Sequence, residues 1–227
     1  FALGASLLVL VGLLTSLAPT ITFWDAGEFI AAAKILGIPH PPGTPLFVLI
    51  GHVWGRLVPL GEYAFRLNLL SALFSAAGAG CLFLVAHQSL RPLCADLPEG
   101  SGRLLRVGGS FAAALLAAFT YTQWQNSNET EVYAVATFTI AAVCWLCLRW
   151  RVHRARGSER APFLLLLIVY LAGLSIGNHL LALLAGPAVV LFLASTLRQE
   201  SSTDPLVRRA EWAQVAVVAA VWALLIG

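Results

Sequence analysis

Long apolar stretches dominate this sequence and restrict the folds that it can adopt. Charged residues make up only 11% of its 227 residues and hydrophobic residues 59%, whereas soluble domains carry about 25% charged residues. The mean hydropathy of +0.83 points the same way. Inside a bilayer every backbone polar group needs a partner within the protein, and a helix provides these partners within one segment. The sequence therefore predicts an all-α polytopic membrane protein.

About seven stretches approach the roughly 20 residues that cross a hydrocarbon core about 30 Å thick. The predicted spans are residues 2–22, 65–88, 107–123, 132–148, 162–177, 180–197 and 212–227. Residues 23–64 form a large loop, within which residues 45–60 predict a juxtamembrane or re-entrant helix. We treat residues 1–227 as a single transmembrane domain. We expect it to be the N-terminal part of a longer chain, because it starts without methionine and stops inside an apolar run.

Basic residues are distributed unevenly between the two sides of this arrangement. With a cytoplasmic N-terminus, the connections 89–106, 149–161 and 198–211 are also cytoplasmic. They hold 11 of the 14 basic residues, namely Arg91, Arg103, Arg106, Arg149, Arg151, Arg154, Arg156, Arg160, Arg198, Arg208 and Arg209. Because Lys and Arg accumulate in cytoplasmic loops, residues 23–64 are predicted on the periplasmic or lumenal face. Arginines at span ends are typical of topology signals and anionic-lipid contacts, so we expect no nucleic-acid binding.

The outer stretch from residue 24 to residue 45 concentrates acids and prolines. If residues 25–37 are helical, Asp25 and Glu28 project from one face. A proline cluster then ends the helix, because proline lacks an N–H and disfavours helical geometry in the residue before it. The cluster consists of Pro39, Pro41, Pro42 and Pro45. This pattern predicts two carboxylates at the mouth of a membrane cavity, although an acid pair that complements a helix dipole gives the same pattern.

The other outer segments also hold polar groups, which are costly near a membrane unless they pair or line a wet cavity. Glu129 and Glu131 lie in the second outer connection, and if a helix starts there only one of them points inward. His179 follows a tight turn, and Arg66 begins the second span. A satisfied histidine and an interface arginine are the simpler interpretations of the last two. Together these residues predict one shared site on the outer face.

Three blocks of sequence carry a family resemblance: WDAGEFIAAAKILGIPHPPGTPLF from Trp24, EVYA from Glu131 and GLSIGNHL from Gly173. They resemble a family of multi-span membrane proteins whose animal member is a transmembrane protein O-mannosyltransferase. The family looks like a branch of the glycosyltransferase-C superfamily, although such enzymes usually have more spans. The resemblance implies transfer of a sugar, mannose or another hexose, from a polyprenyl-phosphate donor to a hydroxyl acceptor on a protein or glycan.

That chemistry assigns expected roles to the outer residues. Asp25 is the expected base for the acceptor's proton, with Glu28 as the supporting acid. Arg66 and His179 are expected to bind the donor phosphate. The residues expected to contact the sugar or the acceptor are Trp24, His40, Glu129 and Glu131. We expect inversion at the anomeric carbon and no required cofactor, with a divalent cation between Asp25 and Glu131 as the weaker option.

Two other classes of protein remain open. A polyprenyl-lipid flippase or transporter would also hold charges at the outer mouth of a helical bundle, but this chain shows no internal repeat and its charges lie at span ends. A structural membrane subunit would tolerate substitution of Asp25, Glu28 and Arg66. Cys144 and Cys147 form a C-x-x-C within an apolar helix, which indicates packing instead of a redox or zinc site.

Overall fold

The computed structural model describes residues 1–41, 43–200 and 202–226 of the chain. Pro42, one of the prolines of the predicted turn, and Gly227, the end of the last predicted span, lie outside the described residues. The described residues form ten α-helices and no β-strand, as the predicted all-α class requires. The helices are α1 (Ala2–Leu14), α2 (Ala26–Ile35), α3 (Pro45–Leu57), α4 (Tyr63–Ser89), α5 (Glu99–Ala118), α6 (Tyr121–Asn128), α7 (Val132–Ala155), α8 (Arg160–Ile176), α9 (Ala185–Gln199) and α10 (Pro205–Ile226). Short 3-10 turns cover Pro92–Cys94 and Leu180–Leu184.

Two of the described helices, α4 and α7, are long and apolar enough to cross a membrane, and α5 with α6 adds a third if the bent pair is one span. Helices occur in all seven predicted stretches, but three stretches differ from the prediction. The first, predicted over 2–22, is helical only to Leu14 and is followed by an irregular segment that contains Pro19. The third, predicted over 107–123, bends by 67° between α5 and α6. In the sixth, predicted over 180–197, Leu180–Leu184 is a 3-10 turn and α9 begins only at Ala185. The number of spans remains a prediction.

α4 lies at the centre of the bundle, where it contacts α1, α5 and α7. Glycine allows a close approach between α4 and α7, because a Cβ atom on Gly78 would lie 3.3 Å from the Cα atom of Phe138 on α7. One apolar cluster joins α1, α4 and α5 and includes Val9 and Phe83. Another joins α7 to α8, α9 and α10 around the fully buried Leu193. α4 belongs to one cluster and α7 to the other, and the two helices contact each other. Together they support the connections that are predicted to lie on the outer face.

One arginine holds together the ends of α7, α9 and α10 on the side predicted to be cytoplasmic. Arg154 donates hydrogen bonds from Nε and Nη2 to the carboxylate of Glu211, at 2.7 and 2.9 Å. Nη2 also donates to the backbone carbonyl of Glu200 at 2.7 Å. The side chain of Arg154 is only 10% exposed and that of Glu211 18%. This bidentate ion pair is therefore largely buried.

We expect Arg154→Gln to destabilise the protein by about 3 kcal/mol, because removing one partner of a buried ion pair leaves the other charge uncompensated. Unfolding of the chain in lipid nanodiscs, followed by tryptophan fluorescence, measures this loss. Arg151→Gln is the matched control. Arg151 pairs with Glu200 at 2.8 Å while its own side chain is 45% exposed, so its loss should cost less than about 1 kcal/mol. Equal losses in the two variants would contradict the prediction.

Candidate functional site

The connections that are predicted to lie on the outer face meet at a small cluster of apolar side chains. Phe29 of α2, Phe47 of α3, and Val132 and Val135 of α7 form one buried cluster. The rings of Phe29 and Phe47 pack edge to face, 5.7 Å apart. The connection after α8 reaches the same place through its carbonyl at residue 177, which accepts the N–H of residue 46 at 2.6 Å. Segments that are far apart in the sequence thus lie side by side.

Asp25, Glu28 and His40 come together at the start of α2. This helix is followed by Leu36, whose left-handed backbone (φ 56°) ends the helix. The chain then returns and places His40 against the first turn of α2. One ligand atom from each of Asp25, Glu28 and His40 lies within 4.8 Å of the other two, and all three residues are exposed. The two acids therefore share a face, as their spacing predicts.

Glu28 and His40 are bound to each other. Glu28 Oε1 accepts the backbone N–H of His40 at 2.6 Å, and Oε2 lies 2.8 Å from His40 Nδ1. The ring hydrogen bond from His40 is the main cause that lowers the pKa of Glu28. The same bond is the main cause that raises the pKa of His40, and the charges of Asp25 and Glu131 add to the rise. Glu28 thus positions His40, whereas the Asp25 carboxylate makes no hydrogen bond within the described residues.

Glu129 and Glu131 lie in an extended linker between α6 and α7. The sequence predicts a helix start here, with only one acid turned inward. Both side chains are in fact buried, since Glu129 is 8% and Glu131 6% exposed. In an extended chain residues two apart point to the same side, so the linker turns both acids towards the protein.

α4 holds this linker through fully buried polar side chains. The hydroxyl of Thr130 donates to Asn68 Oδ1 at 2.6 Å, and the N–H of Glu131 donates to Ser71 Oγ at 3.3 Å. Asn68 Nδ2 also donates to the carbonyls of residues 18 and 20, both at 2.9 Å. Asn68 therefore ties the segment before α2 to the linker that carries Glu131.

We expect Asn68→Ala to destabilise the fold by about 3 kcal/mol, because it leaves the buried hydroxyl of Thr130 and the carbonyls of residues 18 and 20 without their partner. Asn126→Ala is the control, since the half-buried Asn126 makes no side-chain hydrogen bond within the described residues. Thermal unfolding in nanodiscs compares the two. A loss in Asn68→Ala no larger than in Asn126→Ala would show that the network contributes little.

Burial raises the pKa of Glu131 to about 7, and the charges of Glu129 and Asp25 act in the same direction. The neighbouring His40 acts in the opposite direction but more weakly. The Glu131 carboxyl group makes no side-chain hydrogen bond within the described part of the chain. Below pH 7 this site therefore holds a neutral acid near the carboxylate of Asp25.

His179 is oriented by its own turn. The N–H of Leu181 donates to His179 Nδ1 at 3.0 Å, so Nδ1 is the unprotonated nitrogen and the neutral ring carries its proton on Nε2. The ring packs 5.1 Å from that of Tyr133. Burial, with a smaller effect from the charge of His40, lowers the pKa of His179. His179 thus provides a neutral N–H donor.

The guanidinium group of Arg66 is bound by the connection between α3 and α4 and not by this group. The three guanidinium nitrogens of Arg66 donate to backbone carbonyls at residues 55, 60 and 61, at 2.8 to 3.1 Å. The carbonyl of Arg66 itself accepts the indole N–H of Trp54 at 2.6 Å. Arg66 orders the α3–α4 connection, and we leave it out of the proposed site. Trp24 has a left-handed φ of 62° and is 85% exposed, which leaves its ring free to meet a ligand.

Sequence analysis assigned no role to three residues that hold the site together: Asn68, Ser71 and Asn178. Asn178 is 1% exposed, and its Nδ2 donates to the carbonyl of Val132 at 3.0 Å, which ties the turn of His179 to the start of α7. The sequence did contain a pattern that indicates the α4 residues. Asn68, Ser71 and Ser75 recur at three- and four-residue spacing in an apolar helix, and such a polar stripe indicates one face with polar partners.

Asp25, Glu28 and His40 also form the single group of potential metal ligands found among the described residues. Carboxylate oxygens and an imidazole nitrogen suit divalent transition ions. Glu131, which the sequence suggested as the partner of Asp25 in a cation site, is not in this group. Glu28 and His40 already bind each other in this group, and the proposed reaction uses no metal ion.

Comparison with known proteins gives a family match and two similar relatives. The family described as protein O-mannosyl-transferase TMEM260 N-terminal domain matches residues 25–203. The chain is 31% identical over 159 residues to protein O-mannosyl-transferase TMEM260 of Mus musculus, covering 68% of the chain and 20% of that relative. It is 28% identical over 147 residues to protein O-mannosyl-transferase tmem260 of Dictyostelium discoideum, covering 63% and 16%. The chain thus spans a fifth or less of the length of these relatives. No solved structure gives a significant match.

Proposed function

The chain belongs to the protein O-mannosyl-transferase TMEM260 N-terminal domain family, and we propose that it forms the membrane-embedded, N-terminal part of a sugar transferase. The donor is a sugar, mannose or another hexose, linked to polyprenyl phosphate. The acceptor is a hydroxyl group, such as that of a protein serine or threonine. The name of the mouse relative, a protein O-mannosyl-transferase, supports this reaction.

The proposed membrane arrangement has seven spans, a cytoplasmic N-terminus and the site on the outer face. This face is periplasmic in a bacterial inner membrane or lumenal in the endoplasmic reticulum. The location of 11 of the 14 basic residues in connections of the opposite side supports this orientation. The acids and histidines of the candidate site lie in the connections proposed to be outer or at the adjoining helix ends. They are Asp25, Glu28, His40, Glu129, Glu131 and His179.

The observation on which the proposal rests is the cluster of Asp25, Glu28 and His40. The charge of Asp25 acts on the buried Glu131, and the charge of His40 acts on His179. These effects support the proposal that residues from three separate connections serve one site.

In the proposed step the acceptor oxygen bonds to the anomeric carbon as the bond from that carbon to the phosphate oxygen breaks. The acceptor's proton passes to Asp25, and the electron pair leaves with the phosphate. His179 Nε2–H stabilises the charge on that phosphate. Attack from the face opposite the leaving group inverts the anomeric carbon.

The surrounding residues position the reactants in this proposal. Glu28 fixes His40 beside the sugar, and the exposed ring of Trp24 stacks on one sugar face. The buried pair Glu129 and Glu131 contacts the sugar or acceptor hydroxyls. Glu131 in its neutral form donates a hydrogen bond without adding a second negative charge next to the donor phosphate.

The full-length protein, reconstituted with polyprenyl-phosphate mannose and a peptide rich in serine and threonine, tests the proposal. We expect equal amounts of released polyprenyl phosphate and mannosylated peptide. A flippase would instead move a fluorescent donor across the vesicle membrane and leave the donor intact. Donor movement without phosphate release would therefore overturn the transferase proposal in favour of transport.

A further inference from the structure

We propose that the start of α5, on the side predicted to be cytoplasmic, binds a phosphate group at a second site unrelated to the outer one. A cavity of about 330 Å³ lies between the turn at Pro92–Cys94 and the first two turns of α5. Arg103 and Arg106 line this cavity. This site does not depend on the proposed transfer reaction, so each proposal can be tested independently of the other.

Arg106 gives the clearest indication of a missing anion. Its Nε atom is buried and has no hydrogen-bond partner within the described residues. Neither Arg103 nor Arg106 forms an ion pair in this part of the chain, where the recorded pairs involve other residues. Buried polar groups are nearly always paired, and a guanidinium is built for bidentate contact with phosphate. Arg103 and Arg106 line the cavity, and their guanidinium groups would pair with an anion there. The charge of Arg106 also acts on His87 of α4.

The backbone of α5 adds favourable dipoles. The helix starts at Glu99 after Pro98, and no side chain caps it. Its first N–H groups therefore lack partners, and the positive end of the helix dipole faces the same region. Gly102 brings the helix close to the preceding turn, because a Cβ atom there would lie 3.1 Å from the Cys94 carbonyl oxygen. Phosphate would thus meet backbone donors and two arginines together.

Glu99 opposes the anion, since it also lines the cavity. This acid makes no ion pair with either arginine in the described residues, so the lining keeps a net positive charge. The predicted span begins at residue 107, two turns further along α5. The cavity would therefore lie at the level of lipid headgroups, where basic pockets at helix ends bind anionic lipids. The phosphate comes from a phospholipid headgroup or from free phosphate in solution.

The test measures the thermal unfolding of the full chain in nanodiscs. One arm compares zwitterionic lipid with lipid that contains phosphatidic acid, and the other adds inorganic phosphate to zwitterionic discs. We expect stabilisation that saturates with ligand. We expect apparent binding about tenfold weaker in Arg106→Gln, because one charge-assisted hydrogen-bonding partner is lost. Glu99→Gln should bind more tightly than the wild type, and this gain cannot come from misfolding.

Arg208→Gln is the control, since Arg208 is an exposed basic residue in another predicted cytoplasmic connection. It should bind as the wild type does. A response to phosphatidic acid alone identifies a headgroup, and a response to free phosphate identifies a soluble ligand; both support the site. Equal weakening in Arg106→Gln and Arg208→Gln would indicate diffuse charge attraction and overturn the proposal. Unchanged binding in both Arg106→Gln and Glu99→Gln would overturn it as well.

Discussion

Replacing Asp25 by asparagine is expected to lower the rate of sugar transfer about a thousandfold while leaving donor binding nearly intact, because the amide keeps the shape but cannot take up the acceptor's proton. Asp25 suits this role because the residue is exposed and its carboxylate makes no hydrogen bond within the described residues. Initial rates of polyprenyl-phosphate release at saturating donor measure the loss. Photo-crosslinking of a donor analogue measures binding separately.

Two matched variants show whether the loss is specific to Asp25. Asp96→Asn removes an exposed acid from the connection predicted on the opposite face, and it should leave the rate unchanged. Glu28→Gln weakens the hold on His40 without removing the proposed base, so we expect a loss of about tenfold, the size of one charge-assisted hydrogen bond. Transfer by Asp25→Asn at the wild-type rate would rule out Asp25 as the base.

The helical class and the pairing of Asp25 with Glu28 could be predicted because both depend on local sequence. Apolar stretches of membrane length specify helices wherever they fold. Two acids three positions apart share a face once the helix forms, and the resemblance pointed to the same residues. The bend between α5 and α6 was missed, because the predicted span continued to residue 123, past Ala118, where α5 ends.

Contacts between residues far apart in the sequence determine the features of the site that the sequence did not predict. Arg66 looked like a phosphate ligand because its charge at a span end was unexplained, but its partners are carbonyls of a neighbouring connection. Glu129 and Glu131 were expected to point to different sides, because the linker was interpreted as a helix start. Their burial follows from Asn68 and Ser71 on α4. Polar contacts between distant segments leave no periodic signal in either partner alone.

Replacing Glu131 by glutamine should leave the rate of sugar transfer almost unchanged at pH 6, unlike the asparagine substitution at Asp25. Because burial raises the pKa of Glu131 to about 7, the wild-type side chain is neutral at pH 6, and glutamine resembles that form. We therefore expect nearly full transfer by Glu131→Gln at pH 6 and about a hundredfold loss in Glu131→Ala, which has no polar group to position the substrate.

The pH–rate profile between pH 5.5 and 8.5 separates this role from a requirement for ionised Glu131. Above pH 7 the wild-type rate should fall about tenfold per pH unit. Deprotonated Glu131 adds a negative charge beside Asp25 and Glu129, and His40 does not balance this charge. The added charge repels the donor phosphate. Glu131→Gln should lack this fall. Glu129→Gln removes a charge that raises the pKa of Glu131, so its fall should begin at lower pH. If Glu131→Gln were inactive at pH 6, transfer would require the ionised carboxylate of Glu131. Glu131 would then be an alternative to Asp25 as the base.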